Sequence, residues 1–344
     1  MGRTFSKYET LGNDYIIVDA AEGWTLDDVA PRSVRNLCAR GTGISAEGVI
    51  WIGRSEAGSP ISVVASAADG SKPPLNDSAA RCVAAHLART KRIATGRPVS
   101  LDTGHGLARF VLISEEGSTK WWTSIVIGQV NVAKKTMLIG LPAGSLHSVE
   151  HVDGVAVVDP PPHEIKEGDD SRWLDAVFVD MGRPEIVVNT AAMLGGDEEL
   201  VIEALERRYP VGTGITFARR LVSGSVRARS FEIGRGFTRG SGVSAAAAAG
   251  VERVCAWQES NPFDVELDGG TLQVHVDGYA EGWHARVTGP ARWVFDGSLP
   301  DGRADFVSSG PATSRRMPIS VKPISVNPSS VKPSSVKPSS VKPS

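Results

Sequence analysis

A plan of strand, flexible loop and helix start occurs twice in this sequence, with helix starts at Asn76 and Ser241, 165 positions apart. The first copy runs from a valine-rich stretch at residues 61–64 through a Gly/Pro loop to Asn76-Asp77-Ser78. The second runs from residues 227–232 through a glycine-rich turn to Gly240-Ser241-Gly242 and a run of five alanines. Each copy has the turn residues and helix-start residues that such a plan requires. The repeat predicts two similar halves.

The two predicted helix starts are candidate anion sites. The first N–H groups of a helix lack partners within it, and the helix dipole is positive at that end. Two such ends facing each other would hold a carboxylate through the N–H groups of residues 77–80 and 242–245. The carbon beside that carboxylate would then be open to proton transfer.

Both stretches resemble signatures of the diaminopimelate epimerase family. The first is similar to Asn-x-Asp-Gly-Ser…Met-Cys-Gly-Asn-Gly-x-Arg-Cys, and the second to Glu-Arg-Gly-x-Gly-Glu-Thr-x-Ala-Cys-Gly-Thr-Gly. The similarity continues at residues 5–7, 11–15, 43–48 and 180–184, and covers roughly residues 3–295. It implies an α/β (α+β) double barrel of two pseudo-symmetric halves, each with a central helix. The implied divisions are 1–121, 122–298 with its last strand returning to the first half, and a tail at 299–344.

The resemblance also shows where this chain departs from the family. Asn76 and Ser241 stand at the two catalytic cysteine positions, so the family's two-thiol chemistry is not expected. In the family, five positions bind the distal end of diaminopimelate. The aligned residues here are Ala67, Arg183, Gly214, Glu232 and Ile233, and only Glu232 is the same residue as in the family. A different substrate is therefore expected, because the missing polar groups would leave the zwitterion unpaired.

Three side chains are candidates for proton transfer, in the order Asp77, Glu47 and His105. Each has a structural alternative: Asp77 as a helix cap, Glu47 as an acceptor of backbone N–H groups, and His105 as an exposed turn residue. Asn76 and Ser241 are predicted to donate hydrogen bonds that steady an enolate. Asn13 either contacts the ligand or forms an Asx turn. The predicted substrate-binding residues are Asn13, Ser78, Ala79, Arg183, Glu232, Gly242, Val243 and Ser244.

Composition limits the remaining possibilities. The net charge is −2, but six basic residues and no acids follow Ser314, so the rest carries −8, which argues against nucleic acid as a partner. The N-terminus has no signal-peptide pattern and no apolar run is long enough for a membrane span. Three cysteines suit a reducing cytoplasm, and all are expected to be buried. His147, His151 and His163 fit no metal motif and are expected at the surface.

Five pentapeptides from Ser320 onward, of the type Ser-Val-Lys-Pro-Ser, predict a disordered tail. For the folded part, the prediction is a cytoplasmic, cofactor-independent and metal-free isomerase acting on a small carboxylic or amino acid by epimerisation or by double-bond or tautomer isomerisation. The phenazine-biosynthesis isomerase family uses the same fold without cysteines, which suggests specialised, antibiotic-type metabolism. A homodimer is possible. Two alternatives are a catalytically silent homologue that binds an acid or a protein, and a lyase such as a dehydratase.

Overall fold

The computed structural model of the chain describes residues 3–54, 58–141, 145–146, 149–152, 155–158, 172–255 and 261–299. These residues all belong to one compact unit. The predicted tail from residue 300 onward, His147, His163 and the side chain of His151 lie outside the described residues.

In the first half, the described residues form seven strands and two α-helices in sequence order. They are β1 (Arg3–Thr10), β2 (Asn13–Asp19), α1 (Pro31–Cys38), β3 (Gly48–Ile52), β4 (Ile61–Ala67), α2 (Asp77–Arg89), β5 (Pro98–Asp102), β6 (Leu107–Glu116) and the long β7 (Lys120–Leu141). The spacing of Val29, Val34, Leu37 and Cys38 predicts one helix over residues 27–39, and this prediction is wrong in its start. A 3-10 turn at Leu26–Val29 precedes α1, because Pro31 forces Ala30 into an extended conformation with ψ 153°.

The second half repeats the same order after three short strands. The elements are β8 (Ser145–Leu146), β9 (Val149–Val152), β10 (Val155–Val158), β11 (Arg172–Asp180), β12 (Pro184–Asn189), α3 (Asp197–Glu206), β13 (Gly214–Arg220), β14 (Val226–Glu232), β15 (Gly236–Thr238), α4 (Gly242–Cys255), β16 (Phe263–Leu267), β17 (Gly270–Tyr279) and β18 (Gly282–Leu299).

The strands close into two rings that share β7 and β18. The first ring runs β18–β1–β2–β3–β4–β5–β6–β7, and pairing of β7 with β18 closes it. The second runs β7–β11–β12–β13–β14–β16–β17–β18. Both contain parallel pairs at the same places, β2 with β3 and β4 with β5, then β12 with β13 and β14 with β16. The predicted α+β double barrel with two pseudo-symmetric halves is confirmed.

Each ring encloses one helix, α2 in the first and α4 in the second. Residues 78–88 of α2 are all buried, and the five alanines Ala245–Ala249 of α4 are at most 1% exposed. A helix buried on every side needs no polar face. An eight-stranded ring leaves little interior space, so small side chains suit it. At Gly250 the interior has no space even for a Cβ atom, which would lie 2.7 Å from Val130 Cγ1.

Candidate active site

The N-termini of α2 and α4 contact each other between the two rings. Asp77 Oδ2 accepts a hydrogen bond from the Gly242 N–H at 3.0 Å. Asn13 lies beside this contact, where its Nδ2 donates to the Gly240 carbonyl at 2.7 Å and to Ser78 Oγ at 3.1 Å. The two helix starts predicted to face one cleft do meet. Asn13 joins one half to the other by its side chain rather than forming an Asx turn.

Asp77 is held tightly at this meeting point. Its Oδ2 also lies 2.8 Å from Arg81 Nη2, and the two side chains are 7% and 0% exposed. Arg81 in turn donates to Thr10 Oγ1 at 3.1 Å and to Ser78 Oγ at 3.2 Å. A Cβ atom at Gly242 would lie 2.2 Å from Asp77 Oδ2, so only glycine fits opposite this carboxylate. Asp77 is therefore paired with an N–H group of α4 and with a buried cation.

Most N–H groups at the two helix starts already have partners in the protein. Asn76 Oδ1 accepts from Ala79 N–H at 2.7 Å, and Ser241 Oγ accepts from Ser244 N–H at 3.2 Å. The N–H groups of Ala80 and Ala245 bond the carbonyls of the same two cap residues. Within the described residues, the N–H groups of Asp77, Ser78 and Val243 have no hydrogen-bond partner. The predicted anion site is thereby reduced to these three donors.

Glu47 lies beside the start of α2, with Tyr15 between it and Asn76. Asn76 Nδ2 donates to the Tyr15 hydroxyl oxygen at 3.0 Å, and the Tyr15 hydroxyl lies close enough to the Glu47 carboxyl to lower its pKa. Burial of the carboxyl raises the pKa of Glu47 to about 7, and the negative charge of Asp14 adds to the rise. The side chain still reaches solvent. A carboxyl with that pKa can accept or donate a proton near neutral pH.

The backbone around Glu47 is fixed by Asp14 in the neighbouring strand. The Glu47 N–H bonds the Asp14 carbonyl oxygen at 3.0 Å, and the Glu47 carbonyl accepts from Ala68 N–H at 2.9 Å. Lys7 Nζ forms an ion pair with Asp14 Oδ2 at 2.7 Å. These bonds hold the Glu47 backbone, and within the described residues no backbone N–H group donates to its carboxylate, so the structural alternative is not seen.

A second carboxyl, Glu185, lies at the start of α4 in the other half. It is fully buried, bonded to Arg183 at 2.7 Å and to Thr216 at 3.1 Å, and Ser244 Oγ lies 3.4 Å away. Burial raises the pKa of Glu185 despite the Arg183 charge. A Cβ atom at Gly214 would lie 2.0 Å from Glu185 Oε1, so Glu185 fills the space that a side chain at Gly214 would take.

The other predicted residues differ in how near they lie to this point. Arg183 also contacts Glu232 at 3.6 Å, and Arg235 contacts Glu232 at 3.3 Å, so two carboxylates already offset the Arg183 charge. His105 lies in an exposed turn, where its N–H bonds Thr103 Oγ1. None of its hydrogen bonds within the described part of the chain reaches the helix starts.

Sequence reasoning missed Tyr15, Arg81 and Glu185. Two of them carried a signal, because Glu185 is a charge in the apolar strand Pro184–Asn189 and Arg81 lies in an alanine-rich helix. A charge in a buried run needs a partner, and that partner is often part of a site. Tyr15 carried no comparable signal. The expectation of three buried cysteines is wrong for Cys255, which is exposed at the end of α4, while Cys38 and Cys82 are buried.

Over the described residues, no group of three His, Cys, Asp or Glu side chains could hold a metal ion. In the same residues, no helix is long and apolar enough to cross a membrane.

A cavity of about 420 Å³ lies away from the two helix starts, on the outside of the second ring beside the start of α3, with Arg219, Arg227 and Arg229 in its wall. It contains none of the predicted site residues.

Comparison with known sequences relates the chain to the diaminopimelate epimerases, although no family model matches it. The epimerase of Phocaeicola vulgatus is 28% identical over 297 residues, which are 86% of this chain and 97% of the relative. The epimerase of Gloeothece citriformis is 29% identical over 307 residues, covering 86% of this chain and 99% of the relative.

Solved structures share the fold at lower identity. A PhzF-family phenazine biosynthesis protein of Bacillus anthracis has a TM-score of 0.59 and 14% identity, over 87% of this chain and 99% of its own. A hydroxyproline epimerase of Agrobacterium vitis, solved with bound trans-4-OH-L-proline, has a TM-score of 0.55 and 13% identity, over 87% and 93%. Over most of its length the chain is similar in sequence to diaminopimelate epimerases, and it shares its fold with the PhzF-family protein and the hydroxyproline epimerase.

Proposed function

We propose that the chain is a cofactor-independent isomerase that moves a proton between carbons of a small carboxylic or amino acid. The observation that carries the proposal is Glu47, whose pKa of about 7 lies in the range that acid–base catalysis at neutral pH requires. The diaminopimelate epimerases to which the chain is similar align with it over nearly their whole length. Glu47 would supply the proton transfer that the resemblance assigns to cysteines, at whose positions this chain has Asn76 and Ser241.

The proposed reaction begins when the Glu47 carboxylate takes a proton from a carbon beside a carbonyl group. The C–H bond breaks, its electron pair forms a C=C bond, and the carbonyl oxygen becomes an enolate oxygen. The N–H groups of Ser78 and Val243 are available to stabilise that oxygen at two helix N-termini. The Glu47 carboxyl then returns the proton to another carbon of the conjugated system. Burial raises the pKa of Tyr15, so its hydroxyl stays protonated and hydrogen-bonded to Asn76 beside Glu47.

Of the two described carboxyls beside the helix starts whose pKa is raised, Glu47 is accessible and Glu185 is not, which favours double-bond or tautomer isomerisation over epimerisation. Epimerisation removes a proton from one face of a carbon and delivers one to the opposite face, so it needs an acid on each side. The carboxyl in the other half, Glu185, has no exposed surface and is bonded to Arg183 and Thr216. A single group can return a proton to a different carbon on the same face. The specialised-metabolism role, the cytoplasmic location and the homodimer remain predictions.

The test is incorporation of solvent deuterium. Purified protein in D2O is incubated with a panel of small unsaturated acids and amino acids, and deuterium in each is measured by NMR and mass spectrometry. Glu47→Gln should lower exchange by roughly a hundredfold or more, because the amide cannot accept the proton. Asp69→Asn makes the same charge change on an exposed loop and should leave exchange near normal. Near-normal exchange by folded Glu47→Gln protein would exclude Glu47 as the base.

A catalytically silent binder is the second candidate, and the pairing of Asp77 favours it. With Asp77 on the Gly242 N–H, the helix starts already hold a carboxylate of the protein itself. A silent binder should bind members of the panel without any deuterium entering them. A lyase would be recognised in the same experiment, because loss of water or ammonia from the ligand changes its mass by the group eliminated.

A further inference from the structure

Asp77 places a carboxylate of the protein at the meeting point of two helix N-termini. We propose that Asp77 is a specificity-determining residue that takes the position of a ligand carboxylate, so that the substrate presents an uncharged carbonyl group there. The proposal deepens the isomerase function and rests on it for the reaction, but its binding consequences can be measured without turnover.

The geometry leaves no room for a second carboxylate on the same donor. Asp77 Oδ2 lies 3.0 Å from the Gly242 nitrogen and 2.8 Å from Arg81 Nη2, which are hydrogen-bonding distances. A ligand carboxylate on the Gly242 N–H would have to occupy the same point. Two carboxylates at that distance in a site with little water repel each other strongly.

Arg81 explains why the protein carries this carboxylate itself. Its side chain is completely buried, and among the described residues its Nη1 has no hydrogen-bond partner. A buried cation without a counter-ion is strongly unfavourable, whereas the pair with Asp77 is neutral. The guanidinium charge is therefore already matched, and an incoming carboxylate would add an unmatched negative charge. A neutral carbonyl oxygen needs only the free N–H groups of Ser78 and Val243.

The acid group of the substrate then needs a cation elsewhere, and Arg239 fits that need. Its side chain is exposed and packs over Gly12, where a Cβ atom would lie 2.7 Å from Arg239 Cδ. Gly12 precedes Asn13, whose side chain joins the two halves beside Gly240. Within the described residues, Arg239 forms no ion pair with an acidic side chain. A carboxylate at Arg239 would leave the opposite end of the substrate at the helix starts.

The first measurement uses the wild-type protein, with propionate and propionamide as probes of the same shape. Backbone amide signals of Ser78, Val243 and Gly242 are followed by NMR during each titration. Propionamide should shift the Ser78 and Val243 signals, and propionate should do so at least about tenfold more weakly, because Asp77 repels it. Equal or stronger shifts with propionate would overturn the proposal.

The second measurement is chemical rescue of Asp77→Gly. Removing the carboxylate leaves Arg81 buried without its counter-ion, so the melting temperature should fall. Propionate should raise it again in proportion to the logarithm of its concentration, while propionamide should not. Wild-type protein and the Asp69→Asn control, which both keep Asp77, should respond much more weakly. A folded Asp77→Gly protein that ignores propionate would contradict the proposal, and if that variant does not fold, the wild-type titration decides.

These outcomes are separate from those of the deuterium experiment. If Glu47→Gln keeps normal exchange while propionate rescues Asp77→Gly, the proposed base is wrong but the role of Asp77 stands. If exchange depends on Glu47 while propionate binds wild-type protein as well as propionamide does, the function stands and the Asp77 proposal is wrong.

Discussion

Glu47 and Glu185 lie beside the starts of the two central helices, and burial raises the pKa of both. Their surroundings differ in one decisive way. Glu185 is sealed and has Arg183 at 2.7 Å, whereas Glu47 reaches solvent and faces the like charge of Asp14. A proton can pass between a ligand and a group only when the two can touch, so Glu47 is the carboxyl of this pair that can act on a ligand.

The pH profile tests this assignment. Glu47 acts as a base only when it is ionised, so the rate of deuterium exchange should rise with pH through about 7, the pKa of its carboxyl. The negative charge of Asp14 raises the pKa of Glu47. Asp14→Asn removes that charge, so the pKa of Glu47 should fall and the rise in exchange rate should move to lower pH. Glu206→Gln, at the distant end of α3, should leave the profile unchanged. A profile that stays in place in Asp14→Asn would mean that another group titrates.

At the scale of elements, α4 shows how a closed ring selects its helix. Ala245–Ala249 lie within a ring of strands and are at most 1% exposed, so no face of the helix is free to carry a larger side chain. Packed interiors have few voids, and added methylene groups must displace neighbours. The run of alanines therefore reflects the space inside the ring.

Ala247→Leu measures that constraint. Overpacking a filled core costs about 1–3 kcal/mol of the free energy of unfolding, so the variant should be destabilised by that amount or fail to fold. Ala191→Leu makes the same change at an exposed position after β12 and should alter stability by less than about 0.5 kcal/mol. Urea unfolding followed by circular dichroism compares them. Equal stability of the two variants would show that the ring around α4 has unfilled space.

For the whole molecule, the two rings are joined through the shared strands β7 and β18, which pair over Lys120–Val130 and Trp283–Arg292. Each ring also has a short seam. Strands β4 and β5 are joined at Ile61↔Leu101 and Ser62↔Asp102, and β14 and β16 at Val226↔Val265 and Arg227↔Glu266. Both seams are parallel pairings, which are slightly less stable per residue than antiparallel ones.

Hydrogen exchange should follow this arrangement. Amides of α2 and α4 are enclosed by the rings and should exchange most slowly, because they open only when a whole ring opens. Amides at the two seams should exchange sooner, through local separation of the strands. Exchange followed by mass spectrometry on peptides from each segment measures the order. Central-helix peptides that exchange as fast as seam peptides would show that the helices leave the rings without global unfolding.

The sequence alone predicted the repeated halves and the starts of both central helices, and its resemblance to a known family supplied the fold class. The helix starts depend on local signals, because helix caps at Asn76 and Ser241 and the alanine run act within a few residues of chain. The break before Pro31 was also a local signal, and the predicted helix over residues 27–39 overlooked it. The sequence also supplied Glu47 and Asp77 as candidates, from their residue type and from the family positions that they match.

Only the tertiary structure decided what those candidates can do. In the sequence, Asp77 and Glu47 were both carboxylates proposed for proton transfer. In the structure, the Asp77 carboxylate contacts Gly242 and the buried Arg81, while the Glu47 carboxyl lies near Tyr15 and Asp14. Glu185 and Tyr15 entered the site because parallel pairing aligns Glu185 with Gly214 and Tyr15 with Gly48 in the two rings. Charge pairing and burial depend on residues far apart in the chain, and they become fixed only when the two rings close around their helices.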